Sequence, residues 1–439
     1  MNDQAVQDGD LDQLFAPLTA FNRIVLAVSG GPDSMALMHL VARWARLGRA
    51  PGGLSFDVAT VDHGLRLGSS READWVAERA KELGFTHTTL VWSGAKPDTG
   101  IQAQAREARY ALLVAHARKS APAAIVTAHT SDDQAETVLM RLGRGSGLDG
   151  LSGMAVGRPL LPDGSVQLVR PLLGVSKESL KATLTQAACA WLDDPSNERT
   201  DFERVRLRAA QAHMAALGLS NEKLALSAAR LTRARDALEK LTDDRLASLV
   251  DLHNGVFASL SRGAWEREPA EIRVRLLARL LGAFGGGAKP AQLSQVEALE
   301  AAMANGRPMA QTLGGCIVSQ GRTTLRLYRE PGHHDLPEFP LGPGQEALWD
   351  WRFRVRYDAS EGGEDPLPPV VSVRPLGLSA YATLRGSLPS NARPPALAAA
   401  GLPSIWAGQR LLAAPALSGG SAFDDRFSAV FLGLDRLPR

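Results

Sequence analysis

The sequence predicts an α/β protein in three parts: an amino-terminal, parallel, doubly wound sheet over 1–217, a mainly helical domain closed by a β-hairpin over 218–331, and a small α+β domain over 344–439. Three observations predict it. Four apolar runs of strand length, Ile24 to Val28, Phe56 to Val61, Thr88 to Trp92 and Ala123 to Ala128, alternate with segments of helical periodicity. That alternation builds parallel sheets covered on both faces. From Asn221 to Leu281 leucines recur at helical spacing, and Pro331 to Pro343, PGHHDLPEFPLGP, has the composition of a linker.

The elements follow in order. Ile24 to Val28 is unbroken apolar, so it reads as a buried strand; it stops at Ser29-Gly-Gly-Pro-Asp-Ser34, and Met35, Leu37, Met38, Leu40 and Val41 then mark a helix. A strand, a tight polar loop and a helix leave backbone N–H groups and a helix amino terminus aimed at one spot, which suits a phosphate. Gly30 and Gly31 allow positive φ and close backbone approach, and Ser29 and Ser34 add hydroxyls. Asp33 can cap the helix or hold a magnesium ion. No lysine follows the glycines, which excludes the phosphate loop of the nucleotide triphosphatases.

The second strand ends at Asp62-His63-Gly64-Leu65-Arg66, and Ser69 or Ser70 is the expected cap of the next helix, which runs to Leu83. A helix over Ile101 to Arg118 precedes the fourth strand, which ends at His129. Ligands of such sheets sit at the carboxyl ends of the strands where the order reverses, so the turns at Ser29, His63 and His129 share one rim. After His129, a helix capped by Ser131 or Asp132 carries Ala135, Val138, Leu139 and Leu142 as its apolar stripe, with Asp132, Asp133 and Glu136 beside it. Gly145 to Gly150 satisfies G-x-G-x-x-G but follows a helix rather than a strand, which rejects a dinucleotide fingerprint and leaves a mobile or substrate-contacting loop.

A helix over Ser176 to Ala188, the turn Asp194-Pro-Ser-Asn197, and a basic patch at Arg199, Arg204, Arg206 and Arg208 complete the first part. The patch runs into a helix from Phe202 to Leu217. The helical region then ends in two strand-like runs, Cys316 to Ser319 and Thr324 to Tyr328. Past the linker, Trp351, Phe353, Val355 and Tyr357 alternate with Arg352, Arg354 and Arg356, as a strand with one apolar and one basic face.

Composition limits the function. At 45% hydrophobic and 22% charged, the 439 residues have ordinary globular content. There is neither a bilayer-length apolar run nor a basic-then-apolar leader, so the cytoplasm is expected. Cys189 and Cys316 are the sole cysteines, which leaves no disulfide framework and no Cys-x-x-Cys cluster site. A formal net charge of +2 means that any nucleic-acid contact must come from local patches.

The loop Ser29 to Ser34 resembles that of the PP-loop ATP pyrophosphatases, which transfer AMP to an oxygen. SGGPDS, VDHGLR at Val61 to Arg66, AREARY at Ala105 to Tyr110, HTSDDQAET at His129 to Thr137, RGSGLDGLSGM at Arg144 to Met154, RPLL at Arg170 to Leu173 and DPSN at Asp194 to Asn197 form an ordered series. That series resembles the bacterial tRNA(Ile)-lysidine synthetases over the amino-terminal half; the remainder matches only in outline. The resemblance implies a PP-loop sheet and ATP-dependent ligation of L-lysine to C2 of the wobble cytidine of an isoleucine tRNA with a CAU anticodon, by way of an adenylated cytidine.

It further implies that Ser29, Gly30, Gly31, Pro32, Asp33 and Ser34 bind ATP, with His63 and Arg66 at the adenosine, and that Asp33 and Asp133 hold Mg2+. Asp133 and Glu136 would take magnesium or the ammonium groups of lysine, and His129 would relay a proton as an imidazole titrating near neutrality. After the DPSN turn the family has an Arg-Asn-x-x-R-like element, where this chain has Arg204-Val-Arg206-Leu-Arg208. Arg204, Arg206 and Arg208 all stay open for its role, with Arg204 and Arg208 as the catalytic candidates. Arg106 and Arg109 would hold phosphates or pack on the helix surface with Tyr110, and the second and third parts would bind tRNA. A PP-loop ligase or amidotransferase acting on a small molecule, and a catalytically silent RNA-binding protein on this fold, stay open. The sequence leaves the oligomeric state undetermined.

Overall fold

The structure, a computed structural model, describes residues 4–64, 68–94, 101–161, 163–192, 207, 210–287, 289–305, 307, 309–332, 335–358, 369–389, 393–417 and 426–434. The chain divides into two compact units, Met1–Arg235 with Pro438–Arg439, and Asp236–Leu437.

The first unit runs α1 (Leu11–Phe15), β1 (Arg23–Ala27), α2 (Pro32–Arg46), β2 (Ser55–Asp62), α3 (Ser69–Glu82), β3 (Thr86–Val91), α4 (Ile101–Ala117), β4 (Ala123–Val126), α5 (Ser131–Leu142), α6 (Leu148–Leu151), β5 (Gly157–Pro159), β6 (Val166–Val169), α7 (Lys177–Gln186), α8 (Gln211–Ala216) and the start of α9 (Asn221–Leu249). Its six strands lie in the order β3-β2-β1-β4-β6-β5. All neighbours pair in parallel except β5 with β6, and Ile24 sits opposite both Phe56 and Ala124. This is the parallel, doubly wound sheet that the sequence predicts. The β5–β6 pair is additional: three exposed residues facing a four-residue strand give no apolar run to read.

Strand β1 explains why the sheet is covered twice. Side chains alternate between faces, so Ile24, Leu26 and Val28 join the core made with α1, α2, α3 and α7. Val25 and Ala27 join a second core with Leu113 and Ala117 of α4, Ile125 and Leu168. The run is apolar throughout because neither face meets water. From β1 the chain steps to β2 and β3 on one side, and β4 returns to the other side of β1. The order therefore reverses between β1 and β4, and a crevice opens at their carboxyl ends.

Two helix starts differ from the sequence reading. Helix α3 begins after Gly68 at φ 112, so glycine rather than Ser69 or Ser70 is its N-cap. Instead the Ser70 hydroxyl donates to Asp62 Oδ2 at 3.0 Å while the Gly64 N–H donates to Asp62 Oδ1 at 2.8 Å. Helix α5 is capped by Thr130 rather than Ser131 or Asp132, because Thr130 and Asp133 bond each other's backbone N–H reciprocally.

The second unit continues with β7 (Ala258–Ser261), α10 (Arg262–Arg267), α11 (Ala270–Phe284), α12 (Leu293–Ala304), β8 (Met309–Leu313), β9 (Cys316–Gln320) and β10 (Thr324–Arg329). The predicted hairpin, β9 with β10, is the centre of a four-stranded antiparallel sheet of order β7-β10-β9-β8. Strand β7 falls inside the region read as almost wholly helical, since four residues hardly disturb the leucine periodicity on either side. Next come β11 (Phe339–Leu341), β12 (Glu346–Trp349), β13 (Phe353–Tyr357), β14 (Val371–Pro375), α13 (Gly377–Leu384), α14 (Ala396–Ala400), β15 (Pro403–Ala407), β16 (Arg410–Ala413) and β17 (Phe427–Phe431). They form sheets of order β11-β14-β15-β16 and β12-β13-β17.

The alternation read through Trp351 fails at one point. Asp350 and Trp351 both adopt left-handed backbone, φ 47 and 58, which shifts the facing of the chain by one residue. Trp351 is 58% exposed, whereas Arg352 is 1% exposed and pairs through Nε with Asp350 Oδ2 at 2.8 Å. Arg329 reaches the same oxygen at 2.9 Å. Only Arg354 and Arg356 therefore stand on the exposed basic face of β13. No helix among the described residues is long and apolar enough to cross a membrane.

Candidate active site

Residues 29–34 form the turn between β1 and α2 at the reversal point. Gly30 has φ 90, and a Cβ there would lie 2.8 Å from Leu192 Cδ1 and 3.3 Å from Val76 Cγ2. Both the conformation and the space demand glycine. Gly31 is the extended N-cap of α2, and Pro32 occupies its first helical position, where no N–H is needed. The Ser29 N–H donates to Ser34 Oγ at 3.2 Å, and that hydroxyl donates to the Gly31 carbonyl at 2.9 Å, so the loop braces itself from within.

Asp33 stands in the first turn of α2, and its buried Oδ1 has no hydrogen-bond partner among the described residues. Burial pushes its carboxyl up to about 6; Asp133 and Asp132 push the same way, and Lys177 and Lys181 oppose them. A buried carboxylate short of positive charge, beside further carboxylates, is an environment that fits a divalent cation. Among the described residues there is no ready-made group of three metal-binding side chains. Any magnesium would thus complete its shell from phosphate and water, which is its usual habit.

The second wall is the start of α5. Asp133 Oδ2 accepts from the Thr130 N–H at 2.9 Å, and Oδ1 meets the Lys177 ammonium at 3.1 Å. Burial alone would raise this carboxyl, but Lys177 and Thr130 outweigh it and hold it below the usual range. Asp132 Oδ2 accepts the Lys177 N–H at 2.9 Å, and its Oδ1 accepts from Asn221 Nδ2 at 2.8 Å. Asp132 therefore ties the starts of α5, α7 and α9 together. Glu136 is buried one turn further along α5. Beyond the glycine-rich loop, Arg141 donates to the carbonyls of Gly150 at 2.9 Å and Gly153 at 2.8 Å, and Gln134 bonds Met154 in both directions, which braces the end of the loop against α5.

His129 follows β4, and its Nδ1 hydrogen-bonds Thr127 Oγ1 at 2.9 Å. Burial, then the charges of Arg170, Arg109 and Arg106, push its imidazole down to about 4. It is neutral at physiological pH and does not titrate near neutrality, contrary to the sequence expectation. Arg170, buried beyond β6, donates to the Ala155 carbonyl at 2.8 Å and to the Tyr110 hydroxyl oxygen. The Tyr110 ring also carries Arg106 and Arg158, with guanidinium carbons 5.2 and 6.0 Å from its centroid. Four arginines thus gather about His129 and Tyr110 without a carboxylate partner among the described residues, a setting that suits an anion.

The structure brings Ser29 to Ser34, His129, Asp133 and Glu136 to the carboxyl ends of β1 and β4. His63 lies at the adjoining end of β2, its ring edge-to-face with Trp92 at 5.9 Å. Arg66, Arg204, Arg206, Arg208 and the turn Asp194 to Asn197 lie outside the described residues. Sequence reading gave no role to Lys177, Arg158, Arg170 or Asn221. Each reaches the site from a distant segment, and no local periodicity signals such an approach.

The PP-loop domain family matches residues 4–213. The tRNA(Ile)-lysidine synthase of Bradyrhizobium diazoefficiens is 49% identical over 342 residues, covering 73% of this chain and 93% of that one. That of Ruegeria pomeroyi is 41% identical over 394 residues, covering 90% and 88%. Among solved structures, a U34-tRNA thiolase from Methanococcus maripaludis aligns at 15% identity and a TM-score of 0.42, covering 52% of this chain and 77% of that one.

Proposed function

The chain belongs to the tRNA(Ile)-lysidine synthase family, and from that premise we propose that it ligates L-lysine to C2 of the wobble cytidine of a CAU-anticodon isoleucine tRNA, spending ATP to AMP and pyrophosphate in the cytoplasm. The observation that supports this reading most strongly is the pairing at the reversal point: a phosphate-type loop carrying the cation-short Asp33, beside an acidic helix start that already holds an alkylammonium at Asp133.

In the first step O2 of the cytosine attacks the α-phosphorus of ATP, and pyrophosphate leaves. Ser29, Gly30, Gly31 and Ser34, with the amino terminus of α2 behind Pro32, offer donors where charge builds on the leaving group. Asp33 and Asp133 would hold Mg2+, whose chemistry is to neutralise phosphate charge. The arginines about Tyr110, with Arg204 and Arg208 as the further candidates, would hold phosphates of nucleotide or tRNA. His63 and Arg66 would line the adenosine.

In the second step the amine of lysine adds to C2, the C2–O2 bond breaks, and AMP departs with that oxygen. Asp133 and Glu136 would position the ammonium groups of lysine. His129 would relay the proton that the amine loses, with burial and the surrounding arginines keeping it a weak base. If Nδ1 donates to Thr127, the ring nitrogen left for that exchange is Nε2. The target base must leave its stack to reach the crevice. The second unit would grip the rest of the tRNA, with Arg354 and Arg356 as one surface.

Pyrophosphate release from ATP tests the reading. With CAU-anticodon tRNA the release should appear, and without RNA it should fall to background. Release that needs no RNA would favour a small-molecule ligase, and none under any condition would favour a silent RNA-binding protein.

A further inference from the structure

Lys177 is fixed to the acidic wall at two points. Its main-chain N–H donates to Asp132 Oδ2 at 2.9 Å, and its ammonium meets Asp133 Oδ1 at 3.1 Å. Ser131 N–H also donates to the Val175 carbonyl at 2.9 Å, so the starts of α5 and α7 are stitched by backbone as well as by side chains. The ammonium is thus delivered to Asp133 by a rigid helix end rather than by a wandering surface chain. The pair is largely enclosed, with side-chain exposures of 24% and 14%.

The proposed reaction asks this wall to receive the ammonium of free lysine, and a lysine side chain of the protein already stands there. Lys177 presents the same chemistry as the substrate, a primary ammonium on a four-carbon stem, to the same carboxylate. We propose that Lys177 is the resident occupant of the substrate-ammonium position, an internal competitor that free lysine must displace from Asp133. This deepens the reading above and rests on it. While the position is empty of substrate, Lys177 supplies the positive charge that a wall of neighbouring carboxylates needs. Lys177 also partly offsets the charge of Asp33, so the same ammonium serves both carboxylates. The occupant would weaken lysine binding by a set factor and help the wall to refuse amines too weakly bound to displace it.

The test is steady-state ligation by the full chain, with lysine and ATP varied separately. Lys177→Met removes the ammonium while keeping the stem and the main-chain bond to Asp132. The lysine KM should fall about three- to tenfold, the range of one partly enclosed ion pair, while the ATP KM holds. Lys177→Arg, which keeps the cation, should retain a lysine KM near that of the wild type. Should the methionine variant fold poorly, Lys177→Gln gives the same readout with a polar end. A lysine KM that is unchanged or higher would overturn the proposal. So would a raised ATP KM with lysine unaffected, which would make Lys177 a phosphate ligand instead. Loss of kcat and thermal stability with no KM change would make it merely structural, overturning the proposal as well. Failure of the reading itself is separable, since the wild-type enzyme would then incorporate no lysine.

Discussion

The N–H of Leu192 donates to the carbonyl of Gly30 at 2.9 Å, closing a distant segment over the middle of the phosphate loop. The Leu192 side chain occupies the space that any Cβ on Gly30 would need. Gly30→Ala therefore meets a left-handed backbone penalty and a clash together, for about 1–3 kcal/mol of destabilisation. Thermal unfolding should shift downward by several degrees and pyrophosphate release should be lost. Gly31→Ala is the control for stability: Gly31 is extended, with its nearest neighbour 3.9 Å from a built Cβ, so unfolding should stay near wild type.

Two groups of the site should pull stability in opposite directions with pH. Asp33 is raised to about 6 in the folded state, so the native chain holds a proton that the unfolded chain releases, and stability falls as pH climbs from about 4 to 6. His129 is lowered to about 4, so the unfolded chain binds the extra proton, and stability falls as pH drops from 6.5 towards 4. Their contributions offset each other over that range in wild type. In metal-free buffer, Asp33→Asn should gain on the order of 2 kcal/mol above pH 6 and expose the acid loss due to His129. His129→Gln should expose the opposite slope. Denaturant unfolding at pH 4.5, 5.5 and 7 reads both; parallel curves for the three proteins would contradict the electrostatic picture. Magnesium should stabilise wild type more than Asp33→Asn.

Asp350 holds Arg329 and Arg352 in the core of the second unit. Asp350→Ala leaves two buried guanidinium groups without their carboxylate and should cost about 3–5 kcal/mol. Chemical denaturation should show the loss, and a change below 1 kcal/mol would mean that the arginines find other partners.

The exposed basic face of β13 can be separated from that buried pair. Reversing Arg354 and Arg356 to Glu should leave thermal stability nearly unchanged, weaken tRNA binding severalfold and flatten its salt dependence. Equal affinity for tRNA at every salt concentration would remove this face from the proposed RNA surface.

Much of the catalytic half is legible in the sequence because its signals are local. Ile24 to Val28 is apolar at every position since both faces of β1 are buried, and Ser-Gly-Gly-Pro-Asp-Ser interrupts it where the chain must turn. What escapes reading is set by distant or irregular geometry. Lys177 reaches Asp133 from the start of another helix, and Asn221 reaches Asp132 from a third. Arg352 looked exposed because strict alternation was carried through Asp350 and Trp351, two left-handed residues that no pattern announces. His129 looked like a group titrating near neutrality because its burial, and the arginines that reach it from α4 and from beyond β6, arise only in the fold.

The central claim, that the loop at Ser29 to Ser34 activates the wobble base for attack by lysine, is met most directly by mass analysis of nucleosides. CAU-anticodon isoleucine tRNA is incubated with ATP, lysine and enzyme, then digested. Wild type should convert one cytidine to a species heavier by lysine less water, in step with pyrophosphate release, and Asp33→Ala should yield neither. Pyrophosphate release without a lysine-bearing cytidine, or modification that survives in Asp33→Ala, would contradict the account.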